Sequence, residues 1–181
     1  MAQSTPIAVY SRLARAAVIR AATVDDFSSL RYLHTSAIRL LAAGHLTADE
    51  IEGFHRHVYS SDYGDVLLAA RPKAAWLDGE LVGSGCWSES RDAAGEAVLG
   101  LVFVRPPFAG CGFGRRLVGR LEGEARAAGC RSFTVDATAN SVGFFTRLGY
   151  GPPLSASPHL DARLALPVCR MVKCLARPAH T

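Results

Sequence analysis

Apolar residues in this chain follow two rhythms. Between Thr23 and Val58 they recur every three or four positions: Phe27, Leu30, His34, Ile38 and Leu41 form one stripe, and Ile51, Phe54 and Val58 a second. That is the period of a helix with one face on a core. Each stripe opens with a Thr followed three residues later by an acid, Thr23 with Asp26 and Thr47 with Glu50. This is the capping box, in which hydroxyl and carboxylate satisfy N–H groups that the first helical turn leaves unpaired. Gly44 ends the first helix. His34, on an apolar stripe, reads as a hydrogen-bonded core residue. Elsewhere the runs are short and strand-like: Val18–Ala22, Ala74–Leu77, Leu81–Trp87, Val98–Val104 and Ser132–Ala137. Asp78-Gly79 is a hairpin turn signal. A helix spans Gly114 to Ala128 with Leu117, Leu121 and Ala125 inward, and stops at Gly129. A shorter one spans Asn140 to Leu148 and stops at Gly149. Ser60–Asp65 reads as a loop, Val66–Ala70 as a short strand or a helix extension, and Tyr150–Leu175 as two final strands, one at Pro167–Leu175.

The resulting order, β–α–α–β–β–β–α–β–α–β–β, predicts a mixed α/β (α+β) fold: a mostly antiparallel sheet flanked by helices, with one parallel pair. The helical crossover between Val98–Val104 and Phe133–Ala137 makes that pair. Residues 1–17 read as a flexible N-terminal tail, 18–176 as one domain and 177–181 as a C-terminal tail. No repeat or linker interrupts the chain.

Composition narrows the function classes. The chain has 181 residues, 49% hydrophobic and 20% charged, enough for one well-packed domain. A net charge of +4 suits anionic ligands. No Lys/Arg block with interleaved aromatics argues for nucleic acid, and no apolar run reaches the roughly 20 residues of a membrane span. Five single cysteines, Cys86, Cys111, Cys130, Cys169 and Cys174, without a C-x-x-C pair, suit free thiols in a cytoplasmic protein. The histidines show no metal-ligand spacing, so no metal is expected.

The chemistry is concentrated in one stretch, Val104-Arg105-Pro106-Pro107-Phe108-Ala109-Gly110-Cys111-Gly112-Phe113-Gly114-Arg115-Arg116. A strand enters a turn with three alternate glycines, and a helix starts at once. Glycine lets the backbone adopt positive φ and approach a ligand closely. The unpaired N–H groups of the first helical turn, backed by the helix dipole, then face an anion. Arg115 and Arg116 occupy that turn without a nearby acid; they are either ligands of a polyanion or two solvated arginines. The dinucleotide pattern G-x-G-x-x-G fails at Arg115, and no phosphate-binding G-x-x-x-x-G-K-[ST] loop occurs.

These residues, in this order, resemble the GCN5-related N-acetyltransferase (GNAT) family over roughly Val18 to Leu175. The family's acyl-CoA signature, Gln/Arg-x-x-Gly-x-Gly/Ala after Val-x-Pro, is met by Val104-Arg105-Pro106 and by Gly112 and Gly114, with Ala109 in place of Gln or Arg. The segment Asn140-Ser141-Val142-Gly143-Phe144-Phe145-Thr146-Arg147-Leu148-Gly149-Tyr150 is similar to the family's second signature, and Leu166–Lys173 to its last strand. The resemblance implies the GNAT fold, whose parallel strands splay to admit acetyl-CoA as cosubstrate. Its pyrophosphate would lie on Ala109, Gly110, Cys111, Gly112, Phe113, Gly114 and Arg115. Its pantetheine would run along Leu101, Val102, Phe103 and Val104, held by Asn140 and Phe144.

An amine of a small molecule or protein would attack directly. The usual tyrosine acid is Phe145 here, so Tyr150, a water or unassisted thiolate departure remain as alternatives. Glu89 is the first candidate base, with Glu96, Asp136 and His34 behind it. Family habit adds a possible homodimer. A non-catalytic acyl-CoA sensor is the competing reading, kept open by Phe145 and Ala109.

Overall fold

In a computed structural model, which describes residues 14–155, 159–161 and 164–175, the two rhythms become a seven-stranded sheet with helices on both faces. The elements run β1 (Val18–Ala21), α1 (Phe27–Leu41), α2 (Ala48–Val58), α3 (Asp62–Ala70), β2 (Lys73–Leu77), β3 (Glu80–Glu89), β4 (Glu96–Val104), α4 (Phe113–Ala127), β5 (Ser132–Ala137), α5 (Val142–Arg147), β6 (His159–Asp161) and β7 (Leu166–Cys174). Sheet order is β1-β2-β3-β4-β5-β7-β6. Among the described residues only β4 and β5 run parallel, and every other neighbouring pair is antiparallel. The expected class and its single parallel pair are therefore present.

Local chemistry explains the helix starts. Thr23 and Asp26 close their capping box, and Asp26 also accepts two bonds from Arg20, at 2.6 and 2.9 Å. The guanidinium holds the Asp26 carboxyl down at about 2, despite burial that pushes it up. Thr47 and Glu50 cap α2 in the same way, with the Glu50 N–H donating to Thr47 Oγ1 at 3.2 Å. Asp78 and Gly79 take φ of 49° and 79°, the two left-handed positions a type I′ hairpin requires.

Two expectations change. The stretch read as a loop at Ser60–Asp65 mostly belongs to α3, which starts at Asp62 and buries Tyr63 and Leu67 one turn apart. Asp62 and Asp65 suit a helix N-terminus, while Pro72 prevents the helix from continuing. On α1 the buried face is Leu30, Leu33, His34, Ala37 and Ile38, slightly rotated from the expected stripe, and Leu41 reaches the surface.

Packing also begins before residue 18. Ala14 and Ala17 are 5% and 3% exposed, in a small cluster with Cys111 and Phe113. Arg116 donates to the carbonyls of both alanines. The last residues of the expected N-terminal tail are thus fastened to the start of α4, and Arg116 is neither a free ligand nor a solvated cation. Two larger cores fill the sheet faces: α1, α2 and α3 cover one, α4 and α5 the other.

Gly119 and Gly123 lie on the exposed face of α4, with open space where a Cβ would be. Changing both to Ala is expected to stabilise the protein by about 1–2 kcal/mol, seen as a higher urea midpoint at unchanged slope.

Candidate active site

β4 and β5 pair from Glu96↔Ser132 to Leu99↔Val135 and then part. Beyond that point β5 continues with β7 as far as Ala137↔Cys169, and β4 with β3 as far as Gly83↔Val104. The edge of β4 facing β5 is thus unpaired from Gly100 onward, and the sheet opens there as a V.

A bulge sits at the vertex. Cys86 opposes Gly100, but Ser84 opposes Phe103, so Gly85 faces both Leu101 and Val102. Leu101 has φ 51°, a left-handed conformation that costs a non-glycine residue about 1–2 kcal/mol. The extra residue switches the faces of β4. Ala97 and Leu99 point into the α4 core, whereas Leu101 and Phe103 point into the α1 core.

The glycine turn lies at the open end of the V. After a short turn at Pro106–Phe108, Gly110 and Gly112 adopt φ of 78° and 92°, and α4 starts without a side-chain cap. A Cβ on Gly114 would lie 3.1 Å from the Phe144 ring and 3.4 Å from Val104 Cγ2, so α4 approaches β4 and α5 as closely as glycine allows. Across the V, Asn140 Oδ1 is buried without a hydrogen-bond partner. Left-handed glycines, a tight helix start with uncapped donors and an orphaned amide oxygen fit a ligand that carries phosphate at one end and amide N–H groups along its length.

One cavity of about 1030 Å³ joins these parts. Leu101, Val102, Phe103, Val104, Ala109, Gly110, Gly112, Gly114, Arg115, Asn140 and Phe144 all line it, as does Glu89. Cys111 and Phe113 do not: they turn into the cluster under the loop, and the Cys111 N–H is used by the Phe108 carbonyl at 3.2 Å. The alternation of the loop sends every second residue inward, which spacing alone did not reveal.

Tyr150 is set apart from the cavity. It is 3% exposed in the α4 core, and its hydroxyl donates to Glu122 Oε1 at 3.1 Å. Burial first, and the Glu122 carboxylate second, push that phenol far up. The expected acid role finds no geometric support here, because the hydroxyl faces Glu122 and not the V. Phe145 is buried too but lines the cavity, where it brings no hydroxyl, and among the described residues no tyrosine lines it.

The carboxylates separate by position. Asp136 follows the last β5 residue that pairs with β4, at the vertex, and is held by Arg170 at 3.0 and 3.1 Å. Glu89 is exposed opposite Ala97, nearer the paired end. Asp161, which the sequence reading missed, lines the cavity with an apolar wall that includes Ile38, Leu41, Val66 and Leu164. Glu96 does not line it, and neither does His34, which is fully buried with both ring nitrogens engaged. Ser84 was legible only as a polar residue between two glycines in an apolar strand.

Among known proteins, the acetyltransferase (GNAT) family model matches residues 31–150. No curated protein matches the chain in sequence. A GCN5-related N-acetyltransferase from Rhodopseudomonas palustris superposes with a TM-score of 0.76 at 22% identity, over 88% of this chain and 96% of that one. The PaiA N-acetyltransferase of Thermoplasma acidophilum, solved with coenzyme A, gives 0.66 at 19% identity, covering 87% and 98%. A GNAT family acetyltransferase of Brucella melitensis, solved with acetyl-CoA, gives 0.56 at 21%, covering 89% of each.

Proposed function

This chain belongs to the GNAT acetyltransferase family, and from that premise we propose that it moves an acetyl group from acetyl-CoA to a primary amine by direct attack, with both substrates bound. The observation that carries this reading is the continuity of one cavity from the glycine turn, past the unpaired edge of β4, to Asp136 and Asp161. Acetyl-CoA supplies the activated acyl group and a thiolate leaving group. The residues of this chain do the rest.

The first-turn N–H groups of α4, with Arg115, oppose the pyrophosphate charge. The free edge of β4 offers N–H and C=O groups to the pantetheine amides, as an added strand would, and Asn140 Oδ1 accepts from one of them. A backbone N–H at the bulge donates to the thioester carbonyl as charge develops on its oxygen. Asp136 and Asp161 attract the acceptor's ammonium, and Glu89 takes its proton through water. With no tyrosine on the cavity among the described residues, the thiolate departs into water, which a thiol pKa near 8.5 permits. Most of the acceleration then comes from holding two substrates in line.

The acceptor half favours a class. Its apolar wall and two carboxylates suit an amine on an apolar body better than a polycation or a sugar. The test is calorimetry with coenzyme A and acetyl-CoA, followed by coenzyme A release with alkylamines, arylalkylamines, polyamines and amino sugars. Micromolar binding, with turnover greatest for the apolar amines, is the expected result. Glu89→Gln is expected to lower kcat/KM about tenfold or more through kcat. Binding without turnover on any amine would instead favour an acyl-CoA sensor, the reading supported by Phe145, which brings no hydroxyl to the cavity, and by the placement of Tyr150 in the core. No binding would overturn both.

A further inference from the structure

Leu101 is a leucine in a conformation that favours glycine, at the vertex of the V. Ser84 Oγ donates to its carbonyl at 2.9 Å. The Ser84 hydroxyl also lies 2.8 Å from His34 Nε2, and His34 Nδ1 lies 2.7 Å from the Tyr63 hydroxyl. His34, Ser84 and Tyr63 are each 0% exposed, so water does not complete these bonds.

The carbonyl end fixes every proton in the chain. A carbonyl has no proton to give, so Ser84 must donate to it; otherwise two buried oxygens would face each other at 2.9 Å with nothing between them. Ser84 Oγ then accepts, which requires a proton on His34 Nε2. With Nε2 protonated in a neutral ring, Nδ1 is bare and accepts from Tyr63. Burial holds the His34 ring neutral, down to about 3. The direction is therefore single: Tyr63 to His34 to Ser84 to Leu101.

The bulge and the chain support each other. By switching the faces of β4, the bulge sets Phe103 over the His34 ring, with centroids 4.3 Å apart. Tyr63 is gripped in turn: Arg31 lies 5.7 Å over its ring and donates to the carbonyls of Val58 and Ser60, and His57 meets it edge-on at 5.2 Å. The network runs from α3 through α1 and β3 to the one strained residue of β4. Tyr63, His34 and Ser84 do not line the cavity, whereas Leu101 does.

We infer that Tyr63, His34 and Ser84 are positioning residues: their one-way chain of hydrogen bonds pins the Leu101 carbonyl inward and so aims the β4 backbone at the vertex where acyl transfer is proposed. The effect on transfer rests on the proposed function; the protonation pattern does not.

Two measurements decide it. Nitrogen-15 NMR of the wild-type protein at pH 7 is expected to show His34 as the neutral Nε2–H tautomer. An Nδ1–H tautomer or an imidazolium would overturn the chain. In the second, Ser84→Ala is compared with wild type for coenzyme A affinity by calorimetry and for acetyl-CoA turnover with the best amine from the panel.

The expected split is a fall in kcat of about tenfold or more, since a donor aimed at an oxyanion loses its alignment. The Kd for coenzyme A rises much less, within about threefold, because the glycine turn, Arg115 and Asn140 also hold that ligand and none of them contacts Ser84. Ser84→Thr, which keeps the hydroxyl, is expected to recover most of kcat. Tyr63→Phe, which leaves the Ser84–Leu101 bond intact, should lose less than Ser84→Ala.

An unchanged kcat in Ser84→Ala, equal losses in kcat and affinity, or a larger loss in Tyr63→Phe would overturn the inference. Should Ser84→Ala fail to fold, Tyr63→Phe and the wild-type tautomer carry the decision. A wild-type protein that binds no coenzyme A defeats the proposed function, while the tautomer still decides the chain.

Discussion

Replacing Gly112 by Asp is expected to weaken coenzyme A binding about a hundredfold or more, roughly 3 kcal/mol. Two costs combine. Gly112 has φ 92°, where an L side chain is strained, and its substitution distorts the turn that precedes α4. The new carboxylate also stands where the helix start faces phosphate, so like charges oppose each other where the helix dipole otherwise helps. Gly123→Asp is the control. It makes the same change of charge within α4, at an exposed position with open space around it that does not line the cavity. Calorimetry should find coenzyme A binding near wild type in Gly123→Asp and lost in Gly112→Asp. Equal affinity in both variants would remove the glycine turn from the binding site.

Acidification from pH 6.5 to 4.5 is expected to cost the folded protein about 2 kcal/mol through His34 alone. The unfolded chain takes up a proton on this histidine below its ordinary value of 6.5, while the buried ring resists protonation down to about 3. Between those values the unfolded state binds more protons, so stability is full above 6.5 and falls as the pH falls. The groups around the ring offer no compensating charge: Tyr63 and Ser84 bond its nitrogens, and Phe103 lies against its face. Arg31, over the far side of Tyr63, is itself a cation and so offers an imidazolium no counter-charge. Asp26 acts in a different window. Its carboxyl is held at about 2 against an ordinary 3.8, so its contribution is present above 3.8 and disappears only as the pH approaches 2. Urea unfolding across pH 4.5–6.5 isolates the histidine. His34→Gln should be less stable at pH 7 and nearly flat over that range. A wild-type curve equally flat would contradict a neutral, buried His34.

The parts of this protein legible in the sequence are those fixed by neighbours along the chain. Both capping boxes, the Asp78-Gly79 hairpin and the glycine turn depend on residues within a few positions, and local backbone chemistry decides them. The order of strands and helices followed from two apolar periods, and the parallel pair from a helical crossover. The phosphate end of the site was readable for the same reason, because a turn and a helix start are local objects. The first turn of α3 was read as a loop because Ser60, Asp62 and Gly64 imitate one, and Val66–Ala70 stayed open between strand and helix, since the burial of Tyr63 and Leu67 that favours helix depends on distant segments.

What only the tertiary structure decided depends on pairing and on parity. The run Leu99-Gly100-Leu101-Val102-Phe103-Val104 carries no mark of the extra residue that turns one half toward α4 and the other toward α1. That switch arises from register against β3. It decides that Phe103 meets His34, that Ser84 reaches the Leu101 carbonyl, and that β4 leaves β5 at the vertex. Packing likewise sends Tyr150 to Glu122 and brings Asp136 and Asp161, far apart in sequence, to the same cavity. The sequence by itself determined the family's frame and an anion cradle built from local backbone conformation. Which side chains stand at the reacting end was left to contacts between distant segments, because each side chain's direction there depends on a strand register that no local pattern encodes.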